Sequence, residues 1–157
     1  MSLNLALALT YDGVLLLVCA LAWVRGGRPE RIGALISLGA SLATIVLRWL
    51  AIASGAPAEA VVLAIDGIVA GSFFYLATHS TRFWPIWAFG FALSDIIMSL
   101  AGALLPRTPL FAYHTGLGIY AYLALGALAL GAMRLPRDAS PDERRGFRSS
   151  WRAETKI

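Results

Sequence analysis

Apolar residues fall in five long runs separated by short polar breaks: 3–24, 32–54, 58–78, 83–105 and 109–133. Each run is close to the roughly 20 residues that a helix needs to cross a hydrocarbon core about 30 Å thick. The breaks read RGGRPER, SGAPAE, HSTR and PRTP, and Gly or Pro punctuates three of them. Connections this short make neighbouring helices antiparallel. Inside lipid, every backbone N–H and C=O must be satisfied within its own segment, so the runs are helices and not strands. The pattern predicts an all-α integral membrane bundle of five transmembrane helices over residues 1–133. A polar tail of different composition follows over 134–157.

Composition agrees with this pattern. Of 157 residues, 59% are hydrophobic, and the mean hydropathy is +0.72. One soluble core of this size could not hide that much apolar surface. The first run lacks a basic leader, contains Asp12 and has no small-residue cleavage site before WVRGG, so it is expected to be a permanent span and not a signal peptide. A single cysteine, Cys19, excludes an internal disulfide. Basic residues are almost all Arg, with Lys156 the one lysine, in a chain rich in Ala and Gly. That usage suits a GC-rich bacterial genome, and hence a multi-pass protein of a bacterial inner membrane.

Charge sets the orientation. With the N-terminus outside and the C-terminus inside, the inner side carries Arg25, Arg28, Arg31, Arg82 and the seven basic residues of the tail, whereas the outer side carries Arg107 alone. Basic residues are retained on the inner side, and Trp23, Trp84 and Trp87 then fall at the inner interface, where amphipathic rings belong. YDGVLLL in the first run and IDGIVAG in the third align at an offset of 54, which also aligns Arg28 with Arg82 and hints at a tandem two-helix repeat.

In the tail, Ser140, Pro141 and Glu143 have the spacing of a capping box with Pro at the first helical position. Two outcomes are open there: a short amphipathic helix with Phe147 and Trp151 on one face among Arg144, Arg145, Arg148 and Arg152, or a frayed, solvated tail in which Gly146 spoils the helix. Such a helix would lie on anionic lipid headgroups. Nucleic acid is not an expected partner, because retention of charge on the inner side already accounts for the basic tail.

Away from their ends, the apolar runs are interrupted by one charged or imidazole side chain each: Asp12, Arg48, Asp66, Asp95 and His114. At a rise of about 1.5 Å per residue, all five lie about 8–15 Å below the outer end of their helices. Each costs several kcal/mol if it faces lipid, so each is expected to face the bundle interior. Helical spacing places Ser37, Ser41 and Thr44 in one stripe with Arg48, and Ala88, Ala92, Ser99 and Gly102 in another with Asp95. Tyr113, Thr115, Gly116, Gly118 and Tyr120 flank His114. Small residues in such stripes let helices approach closely. Three carboxylates against one guanidinium and one imidazole leave the layer acidic, unless it holds a proton, a cation or a cationic ligand group.

Two readings follow. In one, the layer is a binding site for a small ligand, a cation or a proton. In the other, it is a polar clasp within an accessory or scaffold subunit of a membrane complex. An intramembrane enzyme using a carboxylate as base is a third. No nucleotide loop, nucleophile elbow or HExxH helix is present, so no catalytic residue and no cofactor are assigned. Two Asp and one His could bind a metal, but no ligand-spacing motif supports it. His79 and His114 sit at opposite membrane faces, which excludes their joint ligation of a haem. Five spans are few for a self-contained transporter, so transport would imply homo-oligomerisation or a membrane protein partner. TRFWPIWAFG at 81–90 and FAYHTGLGIY at 111–120 resemble small multi-span membrane proteins of alphaproteobacteria with no assigned function. The resemblance implies the membrane fold and no activity.

Overall fold

The computed structural model describes residues 3–54, 58–104 and 110–147, with side chains described at 9–47, 49–50, 60–101 and 118–147. Among the described residues the chain is all-helical. The elements are α1 (Leu3–Arg25), α2 (Arg28–Ser54), α3 (Ala58–His79), α4 (Trp84–Leu104), α5 (Leu110–Arg134) and the short α6 (Pro141–Arg145). They match the apolar runs to within a few residues. The largest shift is at α2, which starts four residues early. There Pro29 lies in the first turn, where a missing N–H costs nothing. Glu30 reaches back so that its Oε2 accepts from the Gly27 N–H at 2.8 Å, which is half of a capping box.

Among the described residues, three helices are long and apolar enough to cross a membrane, over Arg28–Leu47, Ala60–His79 and Trp84–Ala101. Many large apolar side chains on the bundle point outward: Leu17, Val24, Trp49 and Ile68 are 70–80% exposed. A water-soluble monomer rarely presents such contiguous apolar surface, whereas lipid is the solvent it suits. Hydroxyls on the helices are satisfied locally. Ser37 donates to the Gly33 carbonyl at 3.0 Å, Thr44 to Ala40 at 2.8 Å and Ser94 to Gly90 at 2.9 Å.

Consecutive helices pack side by side, α1 against α5 closes the ring, and α2 also reaches α5 across the middle. Among the residues whose side chains are described, the buried core lies toward one end. Leu15, Cys19 and Ala22 of α1 meet Ala34 of α2, Phe73 and Leu76 of α3, Trp84 and Ala88 of α4, and Leu125, Leu128 and Ala132 of α5. All of these lie in the halves of the helices nearest the α1–α2 and α3–α4 turns. The tail folds back onto the same end.

Ser140 caps α6 as its spacing predicts. Its Oγ accepts from the Glu143 N–H at 3.3 Å, and Glu143 Oε2 accepts from the Ser140 N–H at 2.8 Å. The helix then stops after one turn, because Gly146 takes a left-handed conformation at φ 59°. Phe147 leaves the helix and forms an antiparallel bridge with Ser80. The expected face shared by Phe147 and Trp151 therefore does not form through Phe147, and Trp151 lies outside the described residues. The tail packs on protein: the Gly146 carbonyl accepts from the Thr81 N–H at 2.8 Å and from its Oγ1 at 3.2 Å.

Candidate functional site

A cavity of about 450 Å³ opens between the helices in the half of the bundle away from the tail. Asp12 from α1, Asp66 from α3 and Asp95 from α4 all contribute to its wall. These three predicted residues are therefore brought together by three different helices. Arg48 and His114 belong to α2 and α5, but their side chains lie outside the described residues. The described wall thus carries three acidic side chains and no basic one.

The remaining wall is amphipathic. Ser37, Ser41 and Thr44 of α2 and Ser99 of α4 supply hydroxyls, and Tyr11 and Tyr120 supply rings with a polar tip. Tyr11 is fixed edge-on against Tyr122, with ring centroids 5.4 Å apart. Ile65, Phe73, Phe91 and Leu125 close the apolar sides. Asp66 and Asp95 are within electrostatic reach of each other. Asp95 Oδ1 is shielded from solvent with no hydrogen-bond partner. Among the described residues no three acidic, His or Cys side chains come close enough to chelate one metal ion. The carboxylates surround a space and do not converge on a point.

Sequence reasoning missed a second polar centre, at the tail end. Glu30 is completely buried (0% exposed). Its Oε2 accepts from Gly27, and its Oε1 accepts from the Trp84 indole N–H at 3.1 Å. Arg82 Nε lies 3.3 Å from the same Oε1 as an ion pair. The other arm of that guanidinium, Nη2, donates to the Glu143 carbonyl at 2.6 Å. One carboxylate thus ties the α1–α2 turn, the start of α4 and the tail together. Trp84, expected at the membrane interface, is instead a core residue aimed at Glu30. Trp23 and Trp87 do stay exposed, and Arg31 stacks 5.2 Å above the Trp23 ring. The one sequence signal that could have flagged the centre is that Glu30 is the single acid within an arginine-rich turn.

Compared with protein-family models, curated proteins and solved structures, the chain finds no match among any of the three.

Proposed function

We propose that the chain is a five-span bacterial inner-membrane protein, N-terminus outside and C-terminus inside, whose outer half holds a binding site for a small cation, a proton or a small cationic ligand. The observation that carries this reading is the 450 Å³ cavity walled by carboxylates from three helices. An unbalanced carboxylate in lipid is expensive, and it is relieved by a proton or by a cation. A cavity of this size has room for either one with its water, or for a small organic ammonium group against Tyr11 and Tyr120. Since the carboxylates do not converge, a chelated metal is a poorer fit.

The rival is the structural clasp, for which a closed and fully paired cluster is required. Against it stand the open cavity and the unpartnered Asp95 Oδ1. The test is the unfolding midpoint of the detergent-solubilised protein in Na⁺, K⁺ and tetramethylammonium, for the wild type, Asp66→Asn and Asp95→Asn. Binding predicts saturable stabilisation by at least one cation, about 2.7 kcal/mol at a hundredfold excess over Kd, lost in both variants. A proton site predicts instead a midpoint that shifts with pH in the wild type and not in Asp95→Asn. Midpoints insensitive to cation and pH, together with strong destabilisation in both variants, would establish the clasp.

A further inference from the structure

A second, larger cavity of about 600 Å³ lies on the flank of the bundle, between the start of α4 and the end of α5. One wall is aromatic: Phe83, Trp87 and Phe91 recur every four residues and contact in sequence, with centroids 6.0 and 6.2 Å apart. The opposite wall is Leu123, Ala127 and Leu130 of α5. These share one helical face with Arg134, at steps of four, three and four residues. From Leu123 to Arg134 the groove runs about 16 Å along α5. Gly126 and Gly131 leave its floor without side chains. At Gly131 the space is taken by the Trp84 indole, whereas at Gly126 an added Cβ would meet nothing within 4 Å.

The polar end of the groove is cationic. Arg82, Arg134 and Thr81 line it, and no acidic side chain does. The charge of Arg82 is matched from behind by Glu30. Arg134 is exposed and makes no ion pair among the described residues. The groove therefore presents an apolar slot as deep as the upper part of a lipid tail and, at its mouth, one uncompensated positive charge beside a second, partly exposed guanidinium.

We propose that this groove is a binding site for one anionic phospholipid, its phosphate held at Arg134 and Arg82 and one acyl chain laid between the aromatic wall and α5. Arginine suits the phosphate, because its planar fork offers paired donors. A single uncompensated charge selects a headgroup of net charge minus one over a zwitterionic one, whose own cation would be brought up against the arginines. The site shares the membrane setting of the function proposed above, but it uses none of the residues of the carboxylate cavity except Phe91, which borders both.

The experiment is native mass spectrometry of the full-length protein in mild detergent, after incubation with equal amounts of phosphatidylglycerol and phosphatidylcholine of the same chains. The wild type should retain one phosphatidylglycerol, preferred about fivefold, which is the worth of one basic residue at an anionic surface. Gly126→Leu, which fills the slot, should retain neither lipid and keep the wild-type unfolding midpoint. Arg134→Gln should retain both lipids equally. Equal retention of the two lipids by the wild type overturns the proposal, as does Gly126→Leu that still holds phosphatidylglycerol. If Gly126→Leu does not fold, Arg134→Gln decides alone, and an unchanged preference in it overturns the site. Cation stabilisation read in the same preparation judges the carboxylate cavity separately, so the two can fail independently.

Discussion

Replacing Glu30 by Gln changes one atom and should cost as much as a large core truncation. Two partners of the carboxylate donate hydrogen bonds, the Gly27 N–H to Oε2 and the Trp84 indole N–H to Oε1, and Arg82 Nε stands 3.3 Å from Oε1 as the counter-charge. A glutamine amide has one acceptor and one donor end. Whichever way it is turned, its NH₂ meets at least one N–H head-on. If it faces Oε2's place, Gly27 loses its partner; if it faces Oε1's place, Trp84 does. Each hydrogen bond to a charged acceptor contributes about 1.5–3 kcal/mol, and an orphaned buried donor adds its desolvation penalty. The Arg82 guanidinium also loses its counter-charge, though its side chain is 21% exposed and water screens part of that loss. The total is about 3–5 kcal/mol, the range for breaking one side of a buried pair.

The assay is equilibrium unfolding in mixed micelles with rising SDS, followed by far-ultraviolet circular dichroism. Glu30→Gln, Arg82→Gln and the double variant form a cycle. Each single change should destabilise, and the double should cost less than their sum by about 0.5–3 kcal/mol, because the second removal acts on a pair already broken. Asp142→Asn is the control. Its pair with Arg145 is 3.6 Å long and about 60% exposed on both sides, and it should shift stability by no more than about 0.5 kcal/mol. A Glu30→Gln protein within that same margin of the wild type would refute the reasoning: water would then reach Glu30, and the carboxylate would not hold the three segments together.

Other outcomes follow from the same packing. Gly27→Ala would drive its Cβ into the Arg144 carbonyl, a backbone atom that cannot swing aside, so trypsin should cut the tail at Arg137 about tenfold faster, as for a loss of about 1.4 kcal/mol in docking. Gly131→Ala sets its Cβ against the Trp84 ring and should cost about 1–3 kcal/mol by overpacking, whereas Gly126→Ala meets open space and should be neutral or stabilising in the same unfolding assay. With the N-terminus outside, a cysteine at Ala58 should react with an impermeant thiol reagent added to intact cells, and one at Ser149 should not; the reverse pattern would overturn the orientation and the depths of the polar layer with it.

The helices were legible because one signal dominated. Apolar runs of membrane length between Gly- and Pro-marked breaks leave no other backbone solution, and α1 to α5 start and stop within a few residues of those runs. The gathering of Asp12, Asp66 and Asp95 was legible for a related reason: an ionisable group in lipid has only the bundle interior to face. The Glu30 centre was not, because an acid in a polar turn looks like any solvated loop charge. Its burial depends on the tail returning over the turn, a contact between residues 61 apart in the chain at Arg82 and Glu143. Nothing in local spacing announces such a contact. In the tail, the cap and the Gly146 break were both legible. Its cap is a four-residue pattern and formed, but Gly146 breaks the helix before the proposed face can develop.

The two polar centres are built on opposite terms, and the difference bears on function. At the tail end, Glu30 has a donor on each oxygen and a counter-ion, and the packed core lies around it. A buried charge satisfied in this way serves as a fastening, and removing any partner exposes a cost. In the other half, a 450 Å³ space remains between the helices, and Asp95 keeps an oxygen that is hidden from solvent and without a partner among the described residues. A buried carboxylate oxygen without a partner costs stability, so Asp95 is a poor choice for fastening the bundle. Groups that lower stability where they stand are where a stability–function compromise is expected. Among the described residues, the carboxylate at the tail end has a donor on each oxygen, whereas Asp95 in the cavity wall has an oxygen with none, and this contrast supports the binding reading proposed above over the clasp.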